Sequence, residues 1–450
     1  MASEWGFCRL EELAAANKGS IAIGPFGSRL KADCYVDEGV CLIRGTNLSN
    51  SASLSGHFVY ISEATAKTLG NANLKSEDLV FPHRGSIGAV GIVPADAKRY
   101  ALSTSLMKIS LDRARALPSF YYYYFRSGPG RSELLKNASQ VGTPGIATPL
   151  ASLRGCMVPF PPIGEQKSVV RVLSALDDRI DLLRETNTTL KDIAQALFKS
   201  WFVDFVPVRA KAEGREPEGM DAATAALFPR DFEESELGLI PKGWGVGQLG
   251  DIVEVIDCLH AKKPQLLIEG RPYLQLNCIR EDGLLNVDSA AKISDSDYAK
   301  WISRIEVCQG DCVVTNVGRV GAIAQIPAAF KAAIGRNMTA LRAKPESAFP
   351  TFLIELLQSA AMRAEIVHKT DAGTILNALN VKSIPGLRFV CPSARLMRQF
   401  EETTRPLRAS MEVNLSRVET LARTRDTLLP RLISGKLRLP DTEAFMEAQA

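Results

Sequence analysis

The residues of this 450-residue chain that could do chemistry do not form a catalytic centre. Its four histidines, His57, His83, His260 and His368, stand at spacings that make neither a triad nor a ligand set. There is no G-x-x-x-x-G-K-[ST] phosphate loop, no strand followed by G-x-G-x-x-G, no H-E-x-x-H, no G-x-S-x-G and no N-P-P-[YFW]. The run Gly85-x-x-Gly88-x-x-Gly91 reads as a turn between strands, because its equivalent recurs at Gly318 and Gly321. Nine cysteines (8, 34, 41, 156, 258, 278, 308, 312 and 391) are scattered without a C-x-x-C, Cys308 and Cys312 being the closest pair, and His260 follows Cys258 by two. Zinc would need four clustered ligands. No metal site and no catalytic residue are therefore expected, and free thiols in a reducing compartment are.

Polar and basic loop chemistry is present instead, in two sets. In the first half, GPFGSRLKADCY offers Ser28, Arg29 and Lys31, RGTNLS offers Arg44, Thr46 and Asn47, and the next turn offers His83, Arg84 and Ser86. In the second half, HAKKPQ offers His260, Lys262, Lys263 and Gln265, and QLNCIR offers Gln275, Asn277 and Arg280. Later turns there carry Asn316, Arg319, Arg336 and Asn337. Arg and Lys suit guanine edges and phosphates, while Asn and Gln suit adenine. One such residue alone reads as a solvated charge or a turn former; the signal is the recurrence of the set at corresponding loops. Tyr121 to Tyr124 and Phe125 could stack on bases, but consecutive aromatics cover every face of a helix, so most belong to a core or an interface.

The elements that must position these loops are set by 161–205. The segment holds no proline after Pro162 and no glycine after Gly164, so a helix of about 60 Å can run unbroken. Val169, Leu173, Leu176, Ile180, Leu183, Leu190, Ala194, Leu197 and Trp201 form a heptad seam, with Asn187 where the next apolar residue belongs. A displacement of 231 residues leads to 392–437, where Met411, Asn414, Val418, Leu421, Leu428 and Leu432 repeat the seam and Arg425 stands in place of Ala194. Two like helices so far apart cannot form a hairpin, and each closes its own module. Antiparallel pairing in one register sets Asn187 against Asn414, Leu190 against Met411, Leu183 against Val418 and Trp201 against Phe400, the two asparagines satisfying one another's amides.

The modules match outside the helices as well. Residues 5–13 match 244–252, 39–44 match 270–275, 78–81 with 85–90 match 311–314 with 318–323, and Gly142-Thr143 matches Gly373-Thr374. Short apolar runs at 40–43, 79–81, 89–93, 106–109 and 157–160 read as strands, and 118–137 as a helix interrupted at Gly128, Pro129 and Gly130. Between the modules, 206–240 has the charge and proline of a linker lying loosely over a surface. The run Trp201-Phe202-Val203-Asp204-Phe205 is more apolar than one partner helix can bury, which points to the linker or to a second subunit. Hydrophobic content of 46%, charged content of 23% and a net charge of +4 are those of a globular protein, and no apolar run is long enough to cross a bilayer. Without a signal peptide at the N-terminus, the expected compartment is the cytoplasm.

PPIGEQ before a long helix, the ending LFKSWFVDFVPV, the linker GM…ALFPRDFEESELGLIPKGW and the tail RLISGKLRL together resemble a specificity (S) subunit of a type I restriction–modification system. The resemblance spans nearly the whole chain, although the first module starts at Glu4-Trp5-Gly6 without the Pro-Lys-Gly lead-in and Arg425 interrupts the second seam. It implies an α+β chain of two similar mixed α/β target-recognition domains separated by a pair of long antiparallel coiled-coil helices, with pseudo-two-fold repeat. The expected divisions are recognition domain 1 at 1–161, the central helix at 162–205, the linker at 206–240, recognition domain 2 at 241–392, the distal helix at 393–437 and a tail at 438–450. Such subunits neither methylate nor cleave. Each recognition domain reads one half of a bipartite asymmetric site in double-stranded DNA, and the helices set the spacer. Two methyltransferase (M) subunits using S-adenosylmethionine and motor-nuclease (R) subunits using ATP and Mg would be the partners, with no cofactor on this chain and no membrane. The loop residues named above, other than His83 and Gln265, would contact DNA, and the exposed helix flanks with Trp201 and Phe202 would dock the M subunits. The competing reading is a non-enzymatic two-module coiled-coil scaffold for protein partners.

Overall fold

The computed structural model describes residues 5–25, 30, 32–48, 54–139, 143–347, 349–371 and 377–438, in a mixed α/β fold. It divides into two compact units, one of 1–182 with 417–450 and one of 183–416.

In the first unit an antiparallel sheet runs in the order Ile21–Ile23, Leu106–Ile109, Leu79–Pro82, Gly91–Ile92. A second sheet runs Tyr35–Val36, Val59–Ile61, Val40–Ile43, Tyr100–Leu102, its last pair parallel. The runs Val40–Ile43, Leu79–Pro82 and Leu106–Ile109 are buried at every position, which is why they read as continuous apolar stretches and not as alternation. Asp78 is buried under the first sheet, where its carboxylate accepts from Lys108 Nζ at 2.7 Å and from the Lys75 amide at 2.9 Å. Pro118 fits the first turn of helix Pro118–Arg126, and the Leu117 amide before it donates to Gln166 Oε1 at 2.7 Å. The helix ends at Ser127, whose hydroxyl caps the next helix, Gly128–Leu135. Tyr121, Tyr122, Tyr123, Tyr124 and Phe125 are all core, with the Tyr121 and Tyr124 hydroxyls donating to the carbonyls of Pro159 and Met157.

The second unit repeats that strand order. One sheet runs Val253–Asp257, Met338–Ala343, Cys312–Thr315, Ile323–Gln325, and another Ala291–Ile293, Arg271–Leu274, Ala333–Ile334. Asp311 takes the place of Asp78, paired at 2.6 Å with Arg342. Helix Pro350–Gln358 takes the place of the aromatic helix, its first amides donating to Glu401 Oε2 from Thr351 at 2.7 Å and from Phe352 at 3.1 Å. Gly39 and Gly270, at φ +147° and +146°, let each chain pass where a Cβ would lie 2.5 Å from the Ile61 carbonyl oxygen or 2.3 Å from that of Ile293.

Helices Ile163–Phe202 and Ala394–Ile433 are forty residues each. Within the second unit Asn414 Nδ2 donates to Asn187 Oδ1 at 3.0 Å, Asn187 Nδ2 donates to the Met411 carbonyl at 3.0 Å, and the rings of Trp201 and Phe400 are 5.7 Å apart. The seam departs from the strict heptad in three places, one of them at Leu428, which is half-buried while Leu429 is buried. Leu197 is half-buried and Phe198 takes its seam position, packed on Phe202, Phe352 and Phe400. In the first unit Leu176 is half-buried and Asp177 is buried, accepting from Arg425 at 2.6 Å and from the Tyr123 hydroxyl at 2.9 Å. A straight helix drifts against a seven-residue repeat, so the residue one place on comes into line. Arg425 is thus a buried partner of Asp177 and leaves no gap in the seam.

The 206–240 segment is not loose. Helices Val206–Ala212 and Ala222–Ala226 lead into the hairpin Phe232–Ser235 with Gly238–Pro241, and Val208, Phe228 and Ile240 enter the core of the second unit. These three apolar anchors hold it, and Lys211 Nζ ties it together by donating to the carbonyls of Ala225 at 2.9 Å and Phe228 at 2.5 Å.

Candidate nucleic-acid interface

The loops named from the sequence lie after strands of these sheets. Ser28, Arg29 and Lys31 fall outside the described residues. Arg44 ends the buried strand Val40–Ile43, and its guanidinium Nη2 donates to the His57 carbonyl at 2.7 Å. Asn47 is fully buried, its Nδ2 donating to the carbonyls of Ser55 at 3.0 Å and His57 at 3.2 Å. That amide is committed inside the loop, so Asn47 shapes the loop and does not reach a base. Thr46, Arg84 and Ser86 are exposed. His83 is half-buried on the Thr104 carbonyl at 3.1 Å; desolvation holds its pKa down, so it is neutral at pH 7.

In the second unit the structure gathers four of the named residues. Lys263, Gln275, Asn277 and Arg336 line one open cleft of about 330 Å³, with Tyr273 beneath them. Gln275 and Asn277 project from the short 3₁₀ turn that follows strand Arg271–Leu274, while Arg336 and Asn337 form the turn before strand Met338–Ala343. Asn337 holds that turn at φ +66°, a left-handed conformation that asparagine tolerates. Lys262 is exposed beside Lys263. Arg280 clasps Asp282, Nη2 to Oδ2 at 2.7 Å, and Arg319 Nη1 donates to the Ile279 carbonyl at 2.9 Å. Asn316 corrects the sequence reading in the same way as Asn47. It is buried, donating to the Leu379 carbonyl at 3.2 Å and accepting from the Thr339 hydroxyl at 2.8 Å.

His260 sits nearer to other ligand-type atoms than its spacing indicated: Asp257, Cys258 and His260 bring three within 4.8 Å of one another. His260 Nε2 lies 2.7 Å from Asp257 Oδ2, and Arg304 stands 3.9 Å from the same oxygen, placing positive charge where a cation would have to bind. Burial, and then Asp257, push the Cys258 thiol up, so it is protonated at pH 7.

Trp201 and Phe202 are not available to a second protein. They are 4% and 5% exposed, inside an aromatic cluster of the same unit with Phe198, Phe228, Phe352 and Phe400, and Phe202 also meets Trp244. Sequence reasoning missed Arg131 and Arg363, which line clefts beside Ser86 and Arg319 respectively. Their signal was a serine four residues before each arginine, Ser127 and Ser359, one residue beyond the 231-residue displacement of the long helices. It also missed Ile193 and Val413, apolar residues 44% and 50% exposed on the long helices.

Residues 2–192 match the family model of the type I restriction modification DNA specificity domain. The chain is 24% identical over 400 residues to the type I restriction enzyme MjaIX specificity subunit of Methanocaldococcus jannaschii, covering 85% of this chain and 84% of that one. It is 25% identical over 433 residues to the HindI specificity subunit of Haemophilus influenzae, covering 85% and 92%. The chain is similar to DNA specificity subunits of type I restriction–modification systems. A crystal structure of an S subunit of this system from M. genitalium shares the fold, with a TM-score of 0.56 at 17% identity over 95% of this chain and 96% of that one. Among the described residues, no helix is long and apolar enough to cross a membrane.

Proposed function

We propose that this chain is the DNA-recognition subunit of a type I restriction–modification complex, each of its two units reading one half of a bipartite asymmetric site. The observation that carries the reading is the cleft of the second unit. There two cations suited to guanine edges or phosphates, Lys263 and Arg336, stand with two amides suited to adenine, Gln275 and Asn277. The strand order beneath that cleft recurs in the first unit, where the specificity-domain family model matches. Thr46, Arg84 and Ser86 occupy exposed turns of the first unit, and the contact chemistry assigned to Ser28, Arg29 and Lys31 belongs to the same proposal. The internal duplication supplies two frameworks with unlike loops, hence two unlike half-sites, and the long helices set the spacer between them.

The chain itself is non-catalytic in this reading. Methylation and cleavage belong to M and R subunits, which carry S-adenosylmethionine, ATP and Mg, in the cytoplasm. The outer flanks of the long helices, where Ile193 and Val413 leave apolar side chains in solvent, serve as the docking faces for M subunits. The test is methylation-motif sequencing of DNA from cells expressing this chain with its neighbouring methyltransferase, against cells lacking it. A bipartite motif that depends on this chain is the expected result. Unchanged methylation with copurification of the two proteins would make the chain a protein scaffold.

A further inference from the structure

Two clefts of nearly equal size, about 520 and 530 Å³, occupy corresponding places in the two units. In the first unit the walls are the turn 86–90, the junction at Ser127, and Arg131 on helix Gly128–Leu135. In the second they are the turn 319–323, the junction at Gln358, and Arg363 on helix Ala360–His368. The two arginines sit at the same step of their helices, their backbone amides donating to the carbonyls of Ser127 and Ser359 at 2.9 and 3.0 Å. Both side chains are exposed, and neither has a carboxylate partner within ion-pair distance among the described residues. In the first unit Gly88, at φ +84°, leaves room for the guanidinium: a Cβ there would lie 3.3 Å from Arg131 Nε. Both clefts keep an excess of positive charge once their ion pairs are counted: Lys191, Arg280, Arg319 and Arg363 stand against Glu281 and Asp282 in one, and Arg126, Arg131 and Arg425 against Asp177 and Asp426 in the other. Each cleft is also continuous with a candidate DNA loop, since Ser86 lines the first and Arg280 and Arg319 line the second.

From this we infer that Arg131 and Arg363 are a matched pair of phosphate-backbone contacts, one per unit, which hold the duplex against the recognition loops without reading its sequence. The inference rests on the DNA-recognition reading and assigns the residues that fix the duplex in place. An unpaired guanidinium beside the base-reading loop, repeated where the loop residues themselves diverge (Ser86 against Arg319), is what a sequence-independent contact needs and a base reader does not. The occupant is the phosphodiester backbone, by charge complementarity and by continuity with those loops.

The test uses the full chain assembled with its methyltransferase partner. Binding to a duplex carrying the methylated motif, and to a scrambled duplex, is measured by fluorescence anisotropy over a salt series for the native chain, Arg131→Gln, Arg363→Gln and the double variant. Each single change is expected to flatten the slope of log K against log salt by about 0.9, and the double change by about twice that. The loss should be equal on both duplexes, and the methylation motif should stay the same. Arg363→Lys, which keeps a point charge, should keep the slope. An unchanged slope overturns the assignment, as does a loss restricted to one half-site, which would make the arginine a base reader. Weaker retention of the methyltransferase with an intact slope also overturns it, making the cleft a protein interface. A native complex that shows no preference for its motif overturns the DNA-recognition reading and this inference with it.

Discussion

Glu355 gives the second unit a pH response that can be worked out from its surroundings. The side chain is 5% exposed on helix Pro350–Gln358, and its Oε2 has no hydrogen-bond partner among the described residues. Burial pushes its pKa from an ordinary 4.5 up to about 7, against the opposing pull of Arg408 and Lys191. Arg408 is also buried, with Nη2 on the Gly283 carbonyl and Nε 3.9 Å from Glu412, so it is shared between two carboxyls and lowers the cost of ionising Glu355 without cancelling it. Between those two pH values the folded chain keeps the proton on Glu355 while the unfolded chain has released it. The folded state then binds more protons, so the stability from this group is fully present below pH 4.5 and is lost as pH rises through 7. At about 1.36 kcal/mol per tenfold change in proton affinity, the gap is worth roughly 3 kcal/mol.

Glu355→Gln keeps the shape and removes the charge. The variant should match the native chain near pH 4.5 and exceed its stability by up to about 3 kcal/mol at pH 8. Denaturant titration of the full chain across this pH range, followed by tryptophan fluorescence, is the assay, because Trp201, Trp244 and Trp301 all lie in the second unit and only Trp5 in the first. Glu401 and Glu412 are raised by burial in the same direction, but both proteins carry them, so they drop out of the difference. A difference that does not vary with pH would refute the reasoning. A variant less stable at pH 8 would refute it too, and would show that Arg408 needs the charged carboxylate.

Three other outcomes follow from the same structure. Asn187→Leu removes the partner of the Asn414 amide and should cost about 1–3 kcal/mol, most of it recovered in the double change with Asn414→Leu; a double-mutant denaturation cycle measures the coupling. Arg425→Met leaves the Asp177 carboxylate buried on Tyr123 and Arg126 alone and should cost about 3–5 kcal/mol, whereas adding Asp177→Leu should restore much of it, read by calorimetry. Asn277→Ala should relax one base of one half-site by about 1–3 kcal/mol with assembly intact, seen as a degenerate position in the methylated motif.

How far the sequence could be read depended on whether one residue type had one physical use. The seam asparagines were legible because a polar residue at a heptad position has few ways to be satisfied, and pairing Asn187 with Asn414 sets the register for its neighbours. Phe198 was less legible than Leu197, since the strict repeat hides the drift of a real helix. Among the loop residues, Asn47, Asn316 and Asn277 had equal claims, because an amide that reads adenine is chemically the same as one that closes a turn. Burial separates them, and burial depends on chain crossings that sequence does not show. Trp201 and Phe202 were misread for a related cause. Their excess of apolar surface needed a cover, and the second unit itself supplies it, through Phe228 of a linker whose average composition is polar and through Trp244, Phe352 and Phe400.

The departures from symmetry at the seam have a logic of their own. In the first unit Asp177 on one helix meets Arg425 on the other. The positions related to them by the 231-residue repeat hold Arg408 and Ala194, and in the second unit Arg408 stands 3.9 Å from Glu412 on its own helix and also acts on the buried Glu355. If two copies of the first helix paired with each other in this register, Asp177 would face Ala194. If two copies of the second helix paired, Arg408 would face Arg425. Either arrangement takes away a buried cross-helix partner, leaving Asp177 with Arg126 and Tyr123, or Arg408 with Glu412 and Arg425 with Asp426, which weakens the pairing. The unlike residues at these four positions therefore select pairing of the first helix with the second, so that a duplicated chain keeps its two halves distinct.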